Sequence, residues 1–182
     1  DYGKKKDQAP AATVEAEDGY SGMFPEILQW DERWGYSPYG TSIIAVSGCG
    51  PTCVSMLVVG LTGDKTVTPS VVADYATQNH YVDENNDTTW AFMTSGVEHW
   101  GLTCRESNGN ESEIAKELEA GHPVICSMRP GDFTDIGHFI ILTSYNNGNV
   151  TICDPFSLEN SKKSWNYSQI SSQIKAVWVY SK

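Results

Sequence analysis

The sequence predicts an α+β domain in which helices come first and an antiparallel sheet follows. Three observations carry that prediction. Capped or periodic helical patterns occupy much of residues 49–121. From His122 onward short β-branched and aromatic runs dominate, and two of them are joined by Asn146-Asn147-Gly148-Asn149, a strong hairpin signal. Repeated strand–helix–strand units are lacking, which disfavours a parallel sheet, and no internal repeat is apparent.

Residues 1–22, "DYGKKKDQAPAATVEAEDGYSG", hold small, charged and proline residues and few large apolar ones. Composition makes them a flexible tail or tether, with the domain expected over residues 23–182. "MFPEILQWDERWGYSPYG" is rich in aromatics and turn residues and reads as a packed irregular segment. Cys49 to Gly60 forms the first helix pattern, with Cys53, Met56, Leu57 and Gly60 on one face. "VTPSVVADYATQNH" places Thr68 as a cap and Pro69 in the first turn of the next. "DTTWAFMTSGVEHWG" is a further helix with Gly101 as its stop. "NESEIAKELEAG" opens on Asn110 and Glu113, a capping-box spacing, and ends at Gly121. The runs "HPVICSM", "GHFIILTSY", "NVTICD" and "KAVWVYS" are strands, and "WNYSQISSQI" contains a short helical turn.

Composition excludes several classes of partner. A length of 182 residues suits one domain plus a tail, and a 40% hydrophobic content is enough for a core. The net charge of -11 argues against nucleic acid, which needs a concentrated positive surface, and against docking on an anionic membrane. No apolar run is long enough to span a bilayer. No signal-peptide pattern opens the chain, but it begins at Asp1, so that absence carries little weight. Five cysteines leave at least one outside any intramolecular disulfide, and they lack the paired C-x-x-C spacing of a zinc knuckle. The pairing of Cys104, Cys126 and Cys153 stays open.

Cys49 and Cys53 share "SGCGPTCVSM", one helical turn apart. A disulfide between them would fit regular helix geometry poorly. Their surroundings differ. Cys49 lies between Gly48 and Gly50, with Pro51 next, which puts it at a helix N-terminus. There, free N–H groups and the helix dipole favour a thiolate and can face a developing oxyanion. Cys53, followed by Val54 and Met56, is a small core residue. On local chemistry Cys49 is the better nucleophile, with a buried inert cysteine as the competing reading.

A thiol nucleophile needs a base, usually histidine, and the histidine an orienting acceptor. Capping, packing or exposure accounts for His80, His99 and His122. His138 opens the strand "HFIILTSY", where a ring can be held rigidly while facing a cleft. Asp154 closes the neighbouring strand. A turn at Asn147-Gly148 brings the start of the first strand beside the end of the second, and so His138 beside Asp154. The competing reading of Asp154-Pro155 is a turn starter.

Taken together, "QWDERWG", "GCGPTCVSM", "TPSVVADYA", "GHPVI", "GHFIIL" and "ICDP" resemble the C39-like cysteine peptidases of the papain-like superfamily. The resemblance runs from about Gln29 to the final strand. It implies a papain-like fold, with N-terminal helices packed on an antiparallel sheet. Residue by residue it implies Cys49 as nucleophile, His138 as base, Asp154 as its orienting acid and Gln29 as an oxyanion donor. Gln29 lies twenty positions before Cys49, farther than in many members of the superfamily, so "WDERWGYSPYGTSIIAVSG" must loop out and return. A buried structural amide is the competing reading of Gln29.

The implied activity is thiol-dependent hydrolysis of a peptide or amide bond, without metal or organic cofactor, on a peptide or peptidoglycan-like substrate. Export or surface attachment in a bacterium is the implied location. A catalytically inactive module that binds a peptide or cell-wall component is the alternative. Trp30, Trp34, Tyr36, Tyr39 and Trp90 are candidate cleft aromatics, each with packing as its ordinary explanation.

Overall fold

Six strands form one antiparallel sheet in the computed structural model, which describes residues 7–182. They are β5 (Thr103–Ser107), β6 (Val124–Met128), β7 (His138–Asn146), β8 (Asn149–Cys153), β9 (Ser164–Asn166) and β10 (Ile174–Ser181), in the spatial order β5-β10-β6-β7-β8-β9. Two small hairpins precede the sheet: β1 (Tyr20–Ser21) with β2 (Phe24–Pro25), and β3 (Pro38–Tyr39) with β4 (Ser42–Ile43). The α+β expectation is met, and every pairing in the large sheet is antiparallel.

Both faces of the sheet are covered, which explains why its central strands read as continuous apolar runs. All five residues of β6, Val124–Met128, are buried. Successive side chains point to opposite faces. Ile125, Phe139, Ile141 and Trp178 join the core beneath the N-terminal helices. Val124, Cys126, Ile140 and Val177 join a second core. The helices are α1 (Ile44–Ser47), α2 (Cys49–Thr62), α3 (Pro69–Gln78), α4 (Trp90–Thr94), α5 (Glu111–Glu119), α6 (Leu158–Ser161) and α7 (Tyr167–Ser171). Helix α5 supplies Ile114 and Leu118 to the second core, and α7 supplies Tyr167 and Ile170.

Helix α2 is the central element. Residues Gly50 through Val59 are all buried, and Val54, Met56, Leu57 and Val58 are at most 1% exposed. Burying each such side chain contributes about 1.5–3 kcal/mol. The helix start has no side-chain cap, so burial rather than capping holds it. The Cys53 thiol donates to the Phe139 carbonyl at 3.4 Å, tying α2 to β7.

Local signals held where side chains could satisfy them. Thr68 caps α3 by accepting from the Val71 N–H at 3.2 Å. Asn147 and Gly148 both have positive φ, 49° and 86°, as a two-residue hairpin turn of this twist requires. The stretch predicted as one helix over "DTTWAFMTSGVEHWG" divides into α4 and a 3₁₀ turn, Gly96–Trp100, before Gly101 stops it in the left-handed conformation. Asn110 caps α5, but the capping box does not close. Glu113 turns instead to Arg105 on β5, whose charge is the stronger partner.

The segment expected to be a tail lies partly on the domain. Val14 is 1% exposed, and its N–H donates to the Lys65 carbonyl at 2.8 Å. Tyr20 and Ser21 form β1, so Met23 falls inside a hairpin rather than at a boundary. Residues 1–6 lie outside the described residues.

Candidate active site

The β7–β8 hairpin carries His138 at its mouth and Asp154 just past its far end. Ile141 faces Cys153, so the two strand ends meet at one edge of the hairpin. The His138 Nε2 donates to Asp154 Oδ1 at 2.7 Å. Both side chains are buried, at 8% and 1% exposure. The Cys49 side chain is close enough to the ring to act on its charge. Nε2 is taken by Asp154, which leaves Nδ1 as the ring's other nitrogen. Burial alone would lower the pKa of His138. The hydrogen bond to Asp154 and the interactions with Cys49 outweigh it and raise the imidazole to about 10.

Cys49 is the first residue of α2 and is half-buried. The glycines on either side are required by close approach. A Cβ on Gly48 would lie 2.6 Å from the Ile44 carbonyl oxygen, so only glycine lets α1 run directly into α2. A Cβ on Gly50 would lie 2.2 Å from Thr88 Oγ1. Thr88 in turn shares a 2.5 Å hydrogen bond with the buried Tyr39 hydroxyl. The Tyr39–Thr88 pair therefore packs on the backbone of the first turn beside Cys49.

Cys53 is fully buried, and burial together with the charge of Cys49 pushes its thiol well above the ordinary range. Cys126 and Cys153 are raised by burial too, and Cys104 is raised to about 11. All five cysteines are free thiols. The other histidines have ordinary roles. His80 takes a positive φ just beyond α3, His99 stacks on Tyr75 with ring centroids 4.0 Å apart, and His122 pairs with Glu117 at 2.7 Å.

Gln29 is 3% exposed. Its N–H donates to the Pro155 carbonyl at 2.7 Å, and its side-chain amide donates to the carbonyls of Ala45 (3.2 Å) and Ile44 (3.4 Å). The intervening residues do loop out and return, through β3, β4 and α1. Gln29 thus bridges the turn after Asp154 and the residues leading into α2. Its amide meets those carbonyls rather than Cys49, and its Oε1 is buried without a partner.

Sequence reasoning missed the residues behind Asp154. Its Oδ1 also accepts from the Phe156 N–H at 2.9 Å, and its Oδ2 accepts from Asn160 Nδ2 at 3.0 Å. Its own N–H donates to Ser161 Oγ at 2.8 Å. The available signal was Ser157, a favoured cap residue directly ahead of α6. Of the candidate aromatics, Trp34 and Tyr39 are buried, while Trp30 and Trp90 are 51% and 44% exposed. Trp30 Nε1 donates to the carbonyl of Phe156, itself 56% exposed, at 2.8 Å. Among the described residues no three His, Cys, Asp or Glu side chains converge to hold a metal ion.

The fold and this hairpin-and-helix arrangement define the class of C39-like peptidase domains. The chain belongs to the Peptidase_C39 like family, whose model matches residues 12–182. Among solved structures it is similar to the peptidase domain of Streptococcus ComA, a bi-functional ABC transporter involved in a quorum sensing pathway. The identity is 13%, with 75% of this chain and 93% of that chain covered and a TM-score of 0.53. It is also similar to a C39-like peptidase from Bacillus anthracis, at 17% identity, 93% and 97% coverage and a TM-score of 0.45. No curated protein matches the chain. No helix among the described residues is long and apolar enough to cross a membrane.

Proposed function

We propose that the protein is a cysteine peptidase or amidase that cleaves a peptide or amide bond through an acyl-enzyme on Cys49. The observation that carries the reading is the 2.7 Å hydrogen bond between His138 and the buried Asp154 carboxylate, with the Cys49 side chain acting on the same ring from a helix start. His138 takes or already holds the proton, and the Cys49 Sγ attacks the substrate carbonyl carbon. The resulting oxyanion is stabilised by the Cys49 N–H and by Gln29. Gln29 Nε2 has two hydrogens, and its carbonyl contacts of 3.2 and 3.4 Å are long enough for one hydrogen to turn to a developing charge. The C–N bond breaks as Nδ1 of His138 protonates the leaving amine. Water then attacks the thioester, gives its proton to His138, and the C–S bond breaks to restore Cys49.

The substrate in this proposal is a peptide or a peptidoglycan-like fragment. Exposed Trp30 and Phe156 are joined by a hydrogen bond; Trp30 follows Gln29, and Phe156 lies just beyond Asp154-Pro155, so the pair offers apolar surface to it. The net charge of -11 favours neutral or cationic substrates. Export or surface attachment in a bacterium belongs to the same proposal, and its observable is recovery in the medium or surface fraction.

The test is turnover of a panel of peptides and peptidoglycan fragments by the unmutated chain and by Cys49→Ala, read by mass spectrometry. Cleavage lost in Cys49→Ala supports the proposal. Cleavage that survives the substitution rejects the nucleophile. Saturable binding with no cleavage of any panel member favours the alternative, a catalytically inactive binding module.

A further inference from the structure

The Asp154 carboxylate is held at both oxygens. Oδ1 accepts from His138 Nε2 at 2.7 Å and from the Phe156 N–H at 2.9 Å. Oδ2 accepts from Asn160 Nδ2 at 3.0 Å. With only Oδ1 held, the carboxylate could swing about its Cβ–Cγ bond and carry its acceptor away from the ring. Holding Oδ2 as well opposes that rotation, and it also satisfies a charged atom in a residue only 2% exposed.

Asn160 is itself fixed from two directions. Its N–H donates to the Ser157 hydroxyl at 3.0 Å, which caps α6, and its carbonyl accepts from Trp165 Nε1 at 3.0 Å. The Trp165 ring packs on Phe133, centroids 4.6 Å apart, in the connection that leads into His138. The turn after Asp154 and the approach to His138 are thereby joined behind the carboxylate.

We infer that Asn160 is a positioning residue, which orients the Asp154 carboxylate and, through it, the His138 ring. The inference rests on the proposed use of that ring by Cys49. Asn160 acts through Asp154 and touches no reacting atom.

The experiment is an NMR titration of the His138 imidazole in the full chain, paired with the rate of Cys49 alkylation by iodoacetamide. In Asn160→Ala the His138 midpoint should move acidward by about one pH unit, a tenfold change in proton affinity, and alkylation of Cys49 should slow. Asn160→Ser, polar but too short to reach Oδ2, should give the same shift and serves if the alanine variant does not fold. Asn166→Ala removes the cap of α7, which accepts from the Gln169 N–H and has no bond to Asp154. It should lower the unfolding temperature while leaving the midpoint in place. An unmoved midpoint in the Asn160 variants, or an equal shift in Asn166→Ala, overturns the inference. Failure of the nucleophile reading appears separately, as an unreactive Cys49 in the unmutated chain.

Discussion

Replacing Gly50 by alanine should damage the start of α2 although the new methyl is small. The added Cβ would sit 2.2 Å from Thr88 Oγ1 and 2.7 Å from Thr88 Cβ. Ordinary carbon contacts lie at about 3.5–4 Å, so Thr88 or the helix must move. Relieving an overpacked site costs about 1–3 kcal/mol. Pushing Thr88 away also breaks its bond to the buried Tyr39 hydroxyl, and an unsatisfied buried donor costs about 1–3 kcal/mol. Alanine recovers about 1 kcal/mol through its better helix propensity. The net loss is about 3 kcal/mol, or roughly 6–12 °C in unfolding temperature for a chain of this size. The assay is urea and thermal unfolding of Gly50→Ala, Thr88→Ala and the double variant. Removing the Thr88 hydroxyl and methyl takes away the closest obstruction, so the double variant should be more stable than the sum of the single losses. A neutral Gly50→Ala, or strict additivity, would refute the steric argument.

Stability should depend on pH through His138. Its pKa is raised from an ordinary 6.5 to about 10 in the folded chain, so the stabilisation is complete below pH 6.5 and lost as pH rises through about 10. The difference in urea midpoint between the unmutated chain and His138→Gln should shrink across that window; a difference that grows with pH contradicts the assignment. Lys162→Ala should loosen the N-terminal segment. Lys162 pairs with the buried Glu26 at 2.6 Å and donates to the Asp18 carbonyl at 2.8 Å. Because Lys162 is half exposed, the loss should be about 1–2 kcal/mol rather than that of a fully buried pair. Limited proteolysis should then cut within residues 7–22 faster than in the unmutated chain, and unchanged cleavage would count against the clamp.

The legible parts of the fold were those set by local chemistry. Thr68-Pro69 marked the start of α3, Asn147-Gly148 the hairpin, and Gly48-Cys49-Gly50 the start of α2. The proximity of His138 and Asp154 also followed from the sequence, because a two-residue turn determines which strand ends meet. Strand β5 was missed because Thr103–Ser107 is a mostly exposed edge strand with little apolar pattern, paired among the described residues only with β10. The tail boundary misled because Val14 is a lone apolar residue, and its burial depends on a partner at Lys65 far along the chain. Asn160 was missed for a similar reason: a single asparagine carries no periodicity, and its partner Asp154 appears only once α6 folds back. The Gln29 amide reaches the approach to Cys49 through a folded hairpin that spacing alone could not describe.

The proposed mechanism requires Cys49 to be an activated thiol and the other four cysteines not to be. Brief exposure of the native chain to iodoacetamide, with the adduct located by mass spectrometry, tests it most directly. Selective labelling of Cys49, lost in His138→Ala, is the expected result. Slow labelling spread over the accessible cysteines, unaltered by His138→Ala, would contradict it.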